Sequence, residues 1–323
     1  MAAELSRDDV LAAREAIAGR LHRTPVFSSA TLGERTGASV HLKAELFQRT
    51  GSFKPRGVLM KLASLSDDEK RNGVIGISAG NHAQALAYCA ALEGIDALIV
   101  MWQGASSQKI EATRAYGAAV DLEADGPAGA FERLHELMAE TGRVLVHPFD
   151  DPLTIAGQGT VGLEILEDVP DAAVIVVPVG GGGLVSGIAV AAEGRRVVAV
   201  EPELSDALQR GLEAGKPVPV EPRSVADGLG APFAGEHPIR ICADLGVESV
   251  LISEDELAEG MRFLYGRAKL ACEPAGAAAV AALLAGKIAL EPRETAVAVV
   301  SGGNVVAQIA SAILSSNEAW HPS

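Results

Sequence analysis

A chain of 323 residues, 48% of them apolar, is long enough for two cores of ordinary size, yet it holds no run near the ~20 uncharged apolar residues that span a bilayer. Its 42 acidic against 27 basic residues give a net charge of −15, which excludes nucleic acid as a partner, because phosphate backbones are held by clustered Lys and Arg. Cys89, Cys242 and Cys272 are odd in number and far apart, with no CxxC or Cys/His grouping, so neither a disulfide framework nor a zinc site is expected.

Residues 1–20 mix charged and apolar positions at helical spacing rather than forming a signal peptide, and a cytoplasmic location is expected. Short β-branched runs then recur at Val40–Glu45, Val74–Ile77, Ala97–Met101, Leu145–His147, Val174–Val179, Val197–Val200, Ser249–Ile252 and Ala296–Val300. Helix-like stretches separate them, including Asn81–Glu93, Ser106–Tyr116, Ala130–Thr141 and Asp255–Leu270. Such alternation predicts an α/β fold on largely parallel sheets, whose doubly covered strands are continuously apolar. The segment Gly211–Gly235, rich in Gly and Pro, is longer than ordinary connections and is a candidate functional loop.

Glycine-marked turns stand where strands hand over to helices, the place where open α/β sheets bind ligands. In Thr50-Gly-Ser-Phe-Lys54-Pro-Arg-Gly57 the lysine is flanked by Gly51 and Phe53, and Pro55 can open a helix. Desolvation there lowers the amine's pKa, which an imine-forming lysine requires. Gly76-Ile-Ser78-Ala-Gly80-Asn81-His82 carries two readings. Gly-x-Ser-x-Gly matches the nucleophile elbow of a serine hydrolase acting through Ser78, whereas a carboxylate-binding turn at a helix N-terminus uses the whole segment.

The third turn, Val179-Gly180-Gly181-Gly182-Gly183-Leu184, follows the strand VIVVPV and precedes an Ala-rich helix. Glycines in succession let backbone N–H groups close on a phosphate at a helix N-terminus. The spacing GxGxxG fails here, because the third glycine would fall on Val185 or Ser186, and no GxxxxGK[ST] exists. A monophosphate cofactor therefore fits better than a dinucleotide. Ser301 ends the last buried run at SGGN.

Taken in order, TGSFKPRG (50–57), SAGNHAQALA (78–87), HPFDD (147–151) with IAGQGT (155–160), VGGGGLVSG (179–187), VEPE (200–203), ADGLG (226–230), CEPAGAAA (272–279) and SGGNV (301–305) resemble the threonine dehydratase and serine racemase family of fold type II enzymes, which use pyridoxal 5'-phosphate (PLP). The resemblance implies two open twisted-sheet domains with PLP in the cleft between them: a large one of residues 1–68 and 148–323, and a small mobile one of residues 69–147. It implies Lys54 as the Schiff-base lysine and the base at the substrate Cα. It also implies Phe53 and Gly228 on the two faces of the ring, Asn81 at its phenolic oxygen, Gly180, Gly181, Gly182, Gly183 and Leu184 at its phosphate, and Ser301 at its nitrogen.

Ser78, Ala79, Gly80, Asn81 and His82 would hold the substrate carboxylate. The implied reaction is β-elimination of L-threonine or L-serine to 2-oxobutanoate or pyruvate and ammonia, in a homodimer without an appended amino-acid-sensing domain beyond Ser323. Two departures matter. Serine racemases of this family carry a second serine where this chain has Ala79, so dehydration is expected over racemisation. The family's Mg²⁺ or Ca²⁺ site aligns with Glu201 and Ser205, but its last acidic ligand is Ala207 here. Hydroxyaspartate is the less favoured substrate, because Gly126–Ala130, expected to be a loop, offers no cation for a second carboxylate.

Overall fold

The computed structural model describes residues 5–315; the start of the N-terminal segment, residues 1–4, and the last eight positions lie outside the described residues. Helix α1 (Arg7–Ala16) opens on a capping box between Ser6 and Asp9, which satisfies N–H groups that the first turn leaves unpaired. β1 (Val26–Ser28), α2 (Ala30–Thr36) and β2 (Ser39–Ala44) follow, and then α3 (Pro55–Ala63) and α4 (Asp67–Asn72). Next come β3 (Val74–Ile77), α5 (Asn81–Glu93), β4 (Ala97–Trp102), α6 (Ser107–Ala115), β5 (Ala119–Ala124), α7 (Pro127–Thr141) and β6 (Val144–Leu145). The rest of the chain alternates α8 (Pro152–Asp168), β7 (Val174–Pro178), α9 (Gly183–Ala191), β8 (Arg196–Pro202), α10 (Ala207–Ala214), α11 (Glu236–Asp244), β9 (Glu248–Ile252), α12 (Glu254–Phe263), α13 (Pro274–Leu284), β10 (Thr295–Val300) and α14 (Ala307–Ser315).

The strands form two sheets. The larger has the order β1-β2-β10-β7-β8-β9 and the smaller β5-β4-β3-β6. Every pairing is parallel except β1 with β2. The inner strands β3, β7 and β10 are buried along their whole length, as their unbroken Val, Ile and Ala runs require. Apolar clusters cover both faces of each sheet.

The sequence pattern missed β1 and β5. Both are edge strands; β5 (AVDLEA) is only half buried and carries acidic residues, so the apolar signal of a covered strand is absent. Three boundaries also differ from expectation. The predicted helix 255–270 is α12 followed by a π-turn at Leu264–Ala268, ended by Lys269 in the left-handed region at φ 60°. Gly126–Ala130 is not a loop, since Gly126 caps α7 and Pro127 begins it. Gly211 belongs to α10, so the long irregular segment starts at Gly215.

Helix α8 connects the parts that build the cleft, packing against α3 on one side and α9 on the other. Its glycines permit the approach: a Cβ at Gly157 would lie 2.4 Å from the carbonyl oxygen of Arg56. Arg56, 2% exposed, bridges Glu45 (2.8 Å through both Nε and Nη2) and Glu164 (2.7 and 3.0 Å). Lys43 adds a bond to Glu164 at 2.6 Å. The start of α3 is thereby fixed to the end of β2 and the body of α8. Among the described residues no helix is long and apolar enough to cross a membrane.

Candidate active site

The turn before α3 is stitched to the turn after β10. Thr50 takes φ 59°, a conformation that costs a non-glycine residue about 1 kcal/mol or more and is held here by its surroundings. Ser52 forms a bridge with Gly302, Phe53 N–H donates to the Ser301 carbonyl (3.2 Å), and Gly303 N–H donates to that of Gly51 (2.9 Å). Lys54 thus becomes the N-cap of α3, with Pro55 at the first helical position. Its Nζ donates to the Pro148 carbonyl at 2.9 Å and lies 5.0 Å from the Phe53 ring centre. Burial pulls its pKa from 10.5 down to about 8, so about a tenth of the amine is free at about pH 7, far more than an ordinary lysine would offer as a nucleophile.

Facing Lys54 is the glycine turn between β7 and α9. Val179 N–H makes the last ladder bond, to the Val200 carbonyl at 2.9 Å. Beyond it, none of the N–H groups from Gly180 to Leu184 donates to a protein acceptor among the described residues. Unpaired donors in succession at a helix N-terminus form an anion cradle. The turn needs its glycines: Gly182 sits at φ 92°, and a Cβ on Gly181 would be 2.2 Å from the Phe149 ring. Phe53, Lys54, Asn81, Gly180 to Leu184, Gly228 and Ser301, all singled out in the sequence, line this one cavity.

The turn between β3 and α5 lies beside the cavity and, apart from Asn81, does not line it. Ser78 Oγ accepts from Gly80 N–H at 3.1 Å. The His82 imidazole is buried and turned away, with Nε2–H donating to the Val146 carbonyl at 2.8 Å. Burial, reinforced by the charge on Lys54, pushes its pKa down to about 3, so it is neutral. What Ser78, Ala79, Gly80 and His82 offer a ligand is a hydroxyl and backbone N–H groups at the first turn of α5. The imidazole is committed elsewhere.

That arrangement overturns the elbow reading. No imidazole reaches the Ser78 hydroxyl, and Ser78 is not among the non-glycine residues with positive φ, which are Thr50, Glu193, Lys269 and Arg293. A nucleophile elbow requires both the strained turn and the partner base.

Several residues of the site went unassigned in the sequence. Glu273, 2% exposed, accepts from Asn81 Nδ2 at 2.7 Å, and burial aided by the charge of Asp227 pushes its carboxyl up to about 8. Asn304 Nδ2 donates to Asn81 Oδ1 at 2.8 Å and to the Thr50 carbonyl at 2.6 Å. Lys109 of α6 pairs with Asp227, which adjoins Gly228 in a 3-10 turn, so the helix beside the small sheet touches the loop of the large one. The rings of His147, Phe149, Phe233 and Phe131 stack in a row from the cavity wall to α7. CEPAG and HPF were visible as motifs, but nothing in them states what the acid or the ring would touch.

The candidate cation ligands lie apart from the cavity. Both oxygens of Glu201 accept backbone N–H groups, from Leu208 (2.7 Å) and Gln209 (2.8 Å), and burial pushes this carboxyl up to about 8. The Ser205 hydroxyl is buried without a partner. Among the described residues no three His, Cys, Asp or Glu side chains are placed to hold a metal ion. A carboxyl with both oxygens already accepting from backbone N–H groups, beside one hydroxyl, is a sparse donor set for Mg²⁺ or Ca²⁺, and no step below relies on one.

Comparison with known proteins agrees with this geometry. The chain is 42% identical over 306 residues to the L-threonine ammonia-lyase of Thermotoga maritima, covering 93% of this chain and 76% of that protein. It is 41% identical over 305 residues to the catabolic L-threonine dehydratase of Escherichia coli, covering 92% of each. Among solved structures, maize serine racemase superposes with a TM-score of 0.90 at 35% identity, covering 95% of both chains. The processed form of threonine deaminase isoform 2 from Solanum lycopersicum does so with 0.88 at 31%, covering 95% of this chain and 90% of that one. A family profile described as pyridoxal-phosphate dependent enzyme matches residues 17–302, and the chain belongs to that family.

Proposed function

We propose that the protein eliminates water from L-threonine, and from L-serine, and that hydrolysis of the released enamine takes up a water and gives ammonia with 2-oxobutanoate or pyruvate. The observation that carries this is a buried lysine with a pKa near 8 sharing one cavity with the unpaired N–H groups of Gly180 to Leu184. The donor set fits PLP, which needs an anion cradle at one end and a free amine at the other.

When bound, PLP supplies an electron sink that makes an amino acid's Cα–H acidic. Lys54 would hold the cofactor and, once freed by substrate, take the Cα proton on Nζ, with the Pro148 carbonyl at hand to accept from the protonated amine. The backbone donors of Gly180 to Leu184 would bind the phosphate. Phe53 and Gly228 would flank the ring, Asn81 would donate to its phenolic oxygen, and Ser301 would face its nitrogen, where a hydroxyl in place of an acid would temper the sink. Ser78 Oγ and the N–H groups at Ala79, Gly80, Asn81 and His82 hold the substrate carboxylate and orient its Cα–H toward Lys54.

Two further assignments complete the proposal. Residues 1–68 with 148–323 form the large PLP-binding domain, and residues 69–147 the small domain that closes on substrate, which the separate sheets support. The active form is a cytoplasmic homodimer; the exposed rings of Phe27 and Phe47, edge to face at 6.3 Å, and three free, buried cysteines support this.

The test is direct. Wild-type protein should show a borohydride-bleachable visible band and release 2-oxobutanoate from L-threonine, and Lys54→Ala should lose both. Colourless wild-type protein that cannot be reconstituted with PLP, or 2-oxobutanoate production that survives Lys54→Ala, would refute the proposal.

A further inference from the structure

Which way an asparagine presents its amide is decided by its neighbours, because its oxygen and nitrogen occupy nearly the same shape. Asn81 is constrained from both ends. Its Oδ1 accepts from Asn304 Nδ2 at 2.8 Å, and its Nδ2 donates one hydrogen to Glu273 Oε1 at 2.7 Å. Turning the amide over would set two oxygens together at Glu273 and two nitrogens together at Asn304.

Glu273 is itself fixed. It is the N-cap residue of α13, its backbone N–H donates to the Gly302 carbonyl at 3.1 Å, and it lines the cavity together with Asn81. Neighbouring glycines admit its carboxyl: a Cβ on Gly302 would lie 2.4 Å from Oε1, and one on Gly228 3.4 Å from it.

We propose that Glu273 is a positioning residue that holds the Asn81 amide so that its remaining N–H points at the phenolic oxygen of PLP. This rests on reading the cleft as a PLP site. An acceptor at Glu273 is needed for the orientation, whereas an anion there would stand beside an oxygen that carries negative charge. The groups facing the carboxyl are Asp227, Lys109, the side chain of Asn81 and the backbone N–H of Asn304. Burial, with Asp227 adding to it, outweighs the others and raises the carboxyl toward its neutral form. The neutral acid accepts from Asn81 without opposing the ring oxygen.

The experiment uses holoenzyme of wild type, Glu273→Gln, Glu273→Ala and Glu273→Asp. It measures the dissociation constant of PLP and the pH midpoint of the bound cofactor's visible band. Glu273→Asp retains a residue favoured at N-caps, so it guards against loss of folding, yet its shorter side chain withdraws the oxygens from Asn81. Glu273→Gln should match wild type. Glu273→Ala and Glu273→Asp should weaken PLP about tenfold, the value of a hydrogen bond in a low-dielectric site, and displace the band's midpoint.

In an Asn81→Ala background the Glu273→Ala change should add nothing. Wild-type affinity and midpoint in Glu273→Ala and Glu273→Asp would overturn the proposal. So would a Glu273→Gln enzyme as impaired as Glu273→Ala, or additive losses in the double variant. A wild-type protein with no visible band would instead sink the PLP reading, and this proposal with it.

Discussion

The Lys54 amine donates to the Pro148 carbonyl across 2.9 Å, joining the residue that opens α3 to the segment that leads into α8. In the unfolded chain this lysine stays charged to pH 10.5, whereas in the fold burial brings its pKa to about 8. Below pH 8 both states are protonated and the cost of a buried charge is present in full. Between pH 8 and 10.5 the unfolded chain binds more protons, so stability rises with pH. Urea midpoints of the PLP-free protein should climb across that window, and Lys54→Met should abolish the climb. Equal slopes in the two proteins would contradict the assignment.

Gly181→Ala tests the cradle. The new methyl would sit 2.2 Å from the Phe149 ring, which is itself packed against His147 and Phe233, so either the ring or the turn must shift. Overpacking of this kind costs about 1–3 kcal/mol, enough to weaken PLP by about tenfold or more. A PLP titration showing unchanged affinity would remove Gly181 from the phosphate site.

The turn at Ser78–Gly80 offers one side-chain hydroxyl where a racemase needs a second. Ala79→Ser should therefore raise the rate of serine racemisation relative to elimination, by about a hundredfold if the added hydroxyl acts as a general acid. D-serine formation, read by chiral chromatography beside pyruvate release, checks this. Wild-type racemisation already rivalling elimination would defeat it.

Arg56 stands between two carboxylates, with 2% of its surface exposed. Arg56→Met should cost about 3–5 kcal/mol, because Glu45 would be left as a buried charge without its cation, while Glu164 keeps only Lys43. Adding Glu45→Gln to that variant should recover part of the loss. Chemical denaturation measures both. A neutral Arg56→Met would mean that water reaches the cluster.

Residues whose placement depends on local chain geometry were legible from sequence. Lys54 is read from Gly51, Phe53 and Pro55, and the cradle from glycines after a strand; both sit where such turns belong. His82 was legible as part of a turn but not in its orientation, because its side chain answers to a carbonyl 64 residues away on the neighbouring strand's end. Glu273 was invisible for the same reason, since its partner Asn81 is 192 residues away. Edge strands β1 and β5 escaped because half-exposed strands lack the continuous apolar run that identifies their inner neighbours.

The place of β10 has a consequence for how the protein is made. It pairs with β2 on one side and β7 on the other, at the middle of the larger sheet, yet it is the last of the described strands to leave the ribosome. The smaller sheet, closed within residues 74–145, can assemble during synthesis, whereas the larger one waits as two halves with open edges until residue 300 emerges. A nascent chain stalled before that point carries the lysine without the serine turn that is stitched to it, and two adhesive borders in place of one sheet.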